Sequence, residues 1–120
     1  MVLMSSVSAR MAVFDHSLYA ASKAAVSAMV ANLAPELGAR GITINAVAPG
    51  GTHTDMAAEN GPRYVHPELR DLPPETLPRT MTTLQRFAEP SEIAAVVAFL
   101  ASSDASYVTG STIPIDGGLM

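Results

Sequence analysis

"ITINAVAPGG", residues 42–51, decides how the chain is read. A β-branched, apolar run is cut short by Pro-Gly-Gly, the pattern of a buried strand over 42–47 that opens into a loop over 48–54. Working outward, "MVLMSS" at 1–6 is a second short apolar run closing on polar residues, which predicts another buried strand. "STIPIDGG" at 111–118 predicts a third, ending in a glycine turn. Between the first two runs, Ser17 to Leu37 is dominated by alanine, with Leu18, Val26, Met29, Val30 and Leu33 as apolar bulk and "GARG" as the stop. That is one long helix, expected to bend near Pro35, which lacks an amide hydrogen. Before the third run, Pro90 suits a first helical position, and Ile93, Val96, Val97 and Leu100 recur at helical spacing to about Ser102.

Strand, helix, strand, helix, strand in this order predicts an α/β fold with a parallel sheet. Residues 55–88 break the pattern: Pro62, Pro67, Pro73, Pro74 and Pro78 permit only short helices and turns, so the segment is a candidate lid. The chain has 120 residues, 48% of them hydrophobic and 15% charged, enough for one domain and more apolar than three strands can cover. Its 7 basic and 11 acidic residues are scattered, which argues against nucleic-acid binding. No cysteine is present, so disulfides and thiolate chemistry are excluded, in keeping with a cytoplasmic protein. No run is long enough to span a membrane, and the first residues do not form a signal peptide.

Chemistry concentrates in "SLYAASKAAVSAM", residues 17–29. On a helix, Tyr19 and Lys23 share one face with their bases roughly 6 Å apart. An ammonium close to a phenol favours the phenolate, and such a phenol exchanges protons with a carbonyl or alcohol oxygen. Ser5 and Ser6, at the end of the first strand, can offer that oxygen a hydroxyl. A serine hydrolase would need a G-x-S-x-G elbow, which is absent. His16, His53 and His66 lack metal-ligand spacing and are expected to be exposed, without function, and no metal is expected.

Ser6 precedes Tyr19 by 13 positions, and "INAVAPGGTHTDM" and "YVTGSTIPIDGG" follow in order. In these spaced motifs the chain resembles the short-chain dehydrogenase/reductase family, of the kind that includes β-ketoacyl and polyhydroxynaphthalene reductases. The resemblance covers residues 1–120 but only the C-terminal half of the family's Rossmann-like, doubly wound sheet. It implies an oxidoreductase that moves hydride between NAD or NADP, with NADP favoured, and a small ketone or alcohol.

By the same resemblance Tyr19 is the general acid/base, Lys23 supports it and bonds the nicotinamide ribose, and Ser6 orients substrate, Ser5 being the poorer match. Pro49, Gly50, Thr52 and Thr54 match the loop that meets the nicotinamide end of the cofactor, and Met56 and Tyr64 would cover substrate from the lid. The Gly-Gly pair should let backbone approach a planar ring. Ala9 stands where many members have glycine, tolerable if its backbone is not left-handed. The family's Gly-rich phosphate loop has no counterpart in this sequence, so a non-catalytic fragment or assembly piece is the alternative. The small-residue helices imply a homodimer or homotetramer. The Tyr-Lys interval favours ketone over enoyl reduction.

Overall fold

The computed structural model describes residues 1–119. Three parallel strands, β1 (Val2–Met4), β2 (Asn45–Pro49) and β3 (Thr112–Ile115), lie in the order β1-β2-β3. Helix α1 (Ser17–Gly38) connects the first two. Helices α2 (Asp55–Tyr64), α3 (Thr76–Met81) and α4 (Pro90–Ala101) lie between β2 and β3.

The central strand shows why both helix faces are needed. Successive side chains of a strand point to opposite faces, and β2 is apolar on both. Ala46 joins Val30 and Ile44 under α1, with Leu3, Leu33, Ala34 and Leu37 packed around them. Val47 joins Leu100 and Ala105 under α4, with Val2, Val96, Val97, Ile113 and Ile115 around them. Asn45, also wholly buried, spends its amide on the Val108 carbonyl (2.8 Å) and the Ser111 amide hydrogen (3.2 Å), tying β2 to the approach to β3.

The second strand sits further along than the sequence suggests, ending at Pro49 rather than at residue 47. The alternation explains it. Ala46 and Gly50 donate toward β3, to Ser111 and Ile115, whereas Asn45 donates toward β1. Pro49 therefore presents its hydrogen-free nitrogen to the β1 side, where β1 has already ended, and the strand loses no ladder bond by including it. By the same alternation Pro114 faces the open edge of β3.

The long helix runs through Pro35 to Gly38 and is closed by Gly41, in the left-handed region (φ 72°), with the Ile42 amide donating to Leu37 (3.1 Å). At the other end of the chain α4 is capped reciprocally by Glu89 and Glu92, with Pro90 in its first turn. Segment 55–88 contains only short helices and turns, as its prolines require, and α2 and α3 bury no residue fully. The Asp116-Gly117-Gly118 turn is structural: Asp116 accepts the Gly118 amide (3.0 Å), and the Gly117 and Gly118 carbonyls accept from Leu84 and Thr83.

The outer faces of the helices stay open. Leu18 on α1 is 87% exposed, and Met29 and Phe99 are about half exposed. The radius of gyration is 15.6 Å, against about 13.6 Å for a closed domain of this length. No helix among the described residues is long and apolar enough to cross a membrane.

Candidate active site

Side chains gather where β1 ends. Ser5 and Ser6 are both buried, and alternation along the extended chain sends their hydroxyls in different directions. Ser5 Oγ donates to the Lys23 carbonyl (2.9 Å) and meets Ser27 Oγ (2.8 Å), so it fastens the strand to α1. Ser6 takes the extended conformation of an N-cap for the 3-10 turn Val7–Ala9. Its Oγ accepts from the Ser8 amide (3.2 Å) and donates to Ser8 Oγ (3.3 Å). Ala9 lies in that turn without a left-handed backbone, which is why it serves where glycine is common.

Tyr19 and Lys23 stand on successive turns of α1. The ammonium lies 5.5 Å from the centre of the Tyr19 ring and donates to the Met4 carbonyl at 2.9 Å. That carbonyl belongs to the edge of β1 turned away from β2, so Lys23 satisfies an acceptor the sheet leaves over and keeps two N–H donors for other partners.

His16 completes the group, contrary to the expectation that the histidines are exposed bystanders. It occupies the N-cap position of α1 without a side-chain capping bond. Its Nδ1 lies 3.2 Å from Ser8 Oγ, and its ring packs 5.0 Å from Tyr19 and 3.9 Å, edge-on, from Tyr64. Burial holds the imidazole below its ordinary pKa, with Asp15 pulling the other way by less. The sequence signal was its place three residues before Tyr19, one helical turn earlier on the same face. His53 and His66 are exposed and touch only Phe87 and Phe14 among aromatic rings.

The loop after β2 carries the other candidates. Thr52 Oγ1 donates to the Gly50 carbonyl (3.1 Å) and retains its acceptor lone pairs. Thr54 caps α2 by accepting the Ala57 amide (3.1 Å), which leaves its hydroxyl hydrogen free to donate. The glycines also answer to a need within the protein. A side chain at Gly50 would come within 3.0 Å of the Asp116 Cα, and one at Gly51 would overlap the Phe87 ring. Their small size is accounted for by packing within the protein. Pro49 is half-buried at the strand end, Met56 is exposed on α2, and Tyr64 is half-buried against His16.

These groups fit the nicotinamide end of a dinucleotide: hydroxyl donors and acceptors, an ammonium with two N–H donors left over and backbone amides, all beyond the carboxyl ends of parallel strands. Among the described residues no group of three His, Asp or Glu side chains is placed to hold a metal ion.

Comparison with known proteins gives the family to which the chain belongs. A family model described as enoyl-(acyl carrier protein) reductase matches residues 1–120. The hydroxynaphthalene reductase-like protein Arp2 of Metarhizium brunneum is 44% identical over 121 residues, covering 98% of this chain and 45% of the relative. The 3-oxoacyl-[acyl-carrier-protein] reductase MabA of Mycobacterium tuberculosis is 40% identical over 119 residues, covering 99% and 44%. Among solved structures, BdcA in complex with NADPH superposes with a TM-score of 0.80 at 39% identity, covering 98% of this chain and 44% of that one. A 7α-hydroxysteroid dehydrogenase complexed with NADH and 7-oxo glycochenodeoxycholic acid superposes with a TM-score of 0.82 at 32% identity, covering 99% and 44%. The chain thus spans a little under half the length of the relatives it matches.

Proposed function

The chain belongs to the short-chain dehydrogenase/reductase family of oxidoreductases, and from that premise we propose that it is the catalytic portion of an NAD(P)-dependent ketone reductase. The observation that carries the reading is the placement of Lys23 beside Tyr19 at the end of β1, with Ser6 buried at the same strand end. A reduced nicotinamide held at this site would supply a hydride to the carbonyl carbon of a ketone. Tyr19 is the proton donor to the carbonyl oxygen, which leaves the substrate as the alcohol. Ser6, on turning its hydroxyl hydrogen away from Ser8 Oγ, donates a hydrogen bond to the same oxygen, and Lys23 stabilises the phenolate left behind until solvent returns a proton.

Tyr19, Lys23, Pro49, Gly50, Thr52 and Thr54 are the residues to hold the nicotinamide and its ribose. Either nicotinamide cofactor suits these residues: BdcA is complexed with NADPH and the 7α-hydroxysteroid dehydrogenase with NADH. Segment 55–88 acts as the lid, with Met56 and Tyr64 presenting apolar and aromatic surface to a substrate. A polyketide-type or acyl ketone suits that surface, and the names of the Arp2 and MabA relatives point the same way. Although the family description names enoyl reduction, the four-residue Tyr19–Lys23 interval favours the ketone. The open faces of α1 and α4, with Leu18, Met29 and Phe99 exposed, support a homodimer or homotetramer. A cytoplasmic setting suits a cysteine-free chain.

The coverage of 44–45% of the relatives favours a second reading, a non-catalytic fragment or assembly piece. Titration of the chain with NADPH and NADH separates the two. Micromolar binding supports the reductase, and no binding up to millimolar cofactor supports the assembly piece.

A further inference from the structure

Three consecutive residues before α1 each meet a partner at the end of α2 or just beyond it. Phe14 packs edge-on against His66 (5.4 Å between ring centres), Asp15 accepts from Arg63 Nε at 2.6 Å, and His16 packs against Tyr64 at 3.9 Å. Since α2 buries no residue fully, these pairs are a large part of what locates its C-terminal end. Asp15 is held in the left-handed region (φ 55°), a conformation aspartate tolerates better than most residues, and this brings its carboxylate and the neighbouring rings to bear on α2.

His16 differs from the other two because it also reaches inward. Its Nδ1 bonds Ser8, Ser8 bonds Ser6, and its ring lies on Tyr19. We propose that residues 14–16 form a clasp that holds segment 63–66 against the catalytic face, and that His16 is the positioning residue through which the seating of Tyr64 sets the Ser6 hydroxyl. The inference rests on the reductase reading for the roles of Ser6 and Tyr19; the clasp itself rests on contacts alone.

The titratable or charged groups around His16 are Asp15 on its own loop, Arg63 paired to that carboxylate from α2, Tyr64 also from α2, and Tyr19 from α1. Lys23, one turn further on, is engaged by Met4. Ser8, from the 3-10 turn, is uncharged. Burial prevails among these influences and lowers the imidazole pKa, which favours the neutral ring, and Nδ1 accepts the Ser8 hydrogen or donates its own according to the tautomer.

The test needs neither cofactor nor turnover. Hydrogen exchange and the imidazole nitrogen resonances are recorded for the full chain and for His16→Ala, Tyr64→Ala, Tyr64→Phe and Ser8→Ala. The clasp predicts about fivefold faster exchange across 55–66 in His16→Ala and Tyr64→Ala, with the β2 amides unchanged, and protection retained in Tyr64→Phe. Tyr64→Ala also moves the His16 titration toward its ordinary value, because one of the rings that cover it is gone. Ser8→Ala shifts the Nδ1 resonance while leaving 55–66 protected. Unchanged exchange in Tyr64→Ala, or an Nδ1 resonance indifferent to Ser8→Ala, overturns the proposal. If His16→Ala does not fold, the Tyr64 and Ser8 variants decide the matter alone. A chain that binds no nicotinamide but passes these tests refutes the reductase reading and leaves the clasp standing.

Discussion

The β1–α1–β2 unit and segment 55–88 are held in place by opposite means. In the first, Val30, Ile44, Ala46 and Val47 are wholly buried, and the chemistry-bearing Ser6, Tyr19 and Lys23 hang from elements those residues lock together. In the second, α2 and α3 bury nothing fully, and the position of α2 depends on side-chain pairs such as Asp15–Arg63 and His16–Tyr64. Under the proposed function this contrast follows the need for precision: reacting groups must be fixed to a fraction of an ångström, whereas a cover has to admit and release its ligand.

The largest effect expected of this contrast is chemical. In a preparation reducing a ketone, Tyr19→Phe lowers kcat by on the order of 10³, since proton transfer is lost. Met56→Ala, in the other region, raises KM by about threefold to tenfold and leaves kcat within about twofold, the mark of lost ground-state contact. Steady-state kinetics of both variants check the split, and equal effects on kcat would erase the comparison.

Stability sharpens it next. Ile44→Ala is expected to cost about 2–5 kcal/mol by leaving a cavity between α1 and the sheet, and Leu69→Ala, whose side chain is well exposed, less than about 1 kcal/mol. Urea denaturation at one fixed chain concentration measures both. Gly51→Ala comes third, at about 1–3 kcal/mol, because its new methyl group meets the Phe87 ring.

The smallest effect is a matter of pH. The Arg86 guanidinium, bonded to both Glu92 oxygens at 2.6–2.7 Å, together with the Glu89 amide, lowers the Glu92 pKa from 4.5 to about 2. A depressed carboxylate stabilises the fold above its unfolded pKa and loses that contribution as the pH falls. The melting-temperature advantage of the native chain over Glu92→Gln should therefore be full above pH 4.5 and shrink toward pH 2. A constant difference across that window would remove the ion pair from the fold's support.

Where period and punctuation govern structure, the sequence is legible. The alanine-rich run bounded by glycines is α1, the proline spacing of 55–88 confines it to short elements, and three apolar runs become parallel strands. The end of β2 is not legible locally, because Pro49 reads as a breaker and only the neighbouring strand's length reveals that its nitrogen faces no partner. The need for small residues at 50 and 51 is legible, but the packing that also requires it, against Asp116 and Phe87, joins residues distant in sequence and is not. His16 escaped for a similar cause: its significance comes from Ser8 and Tyr64, which no spacing rule joins to it.

The central claim is that the Tyr19 phenol, the Lys23 ammonium and the Ser6 hydroxyl serve one carbonyl oxygen. Deuterium transfer from NADPH deuterated at the hydride position to a ketone, followed in the native chain and in Tyr19→Phe side by side, tests it most directly. The account predicts an alcohol carrying deuterium on its carbinol carbon from the native chain and almost none from the variant. Equal transfer by the two, or none by the native chain at saturating cofactor, would contradict it.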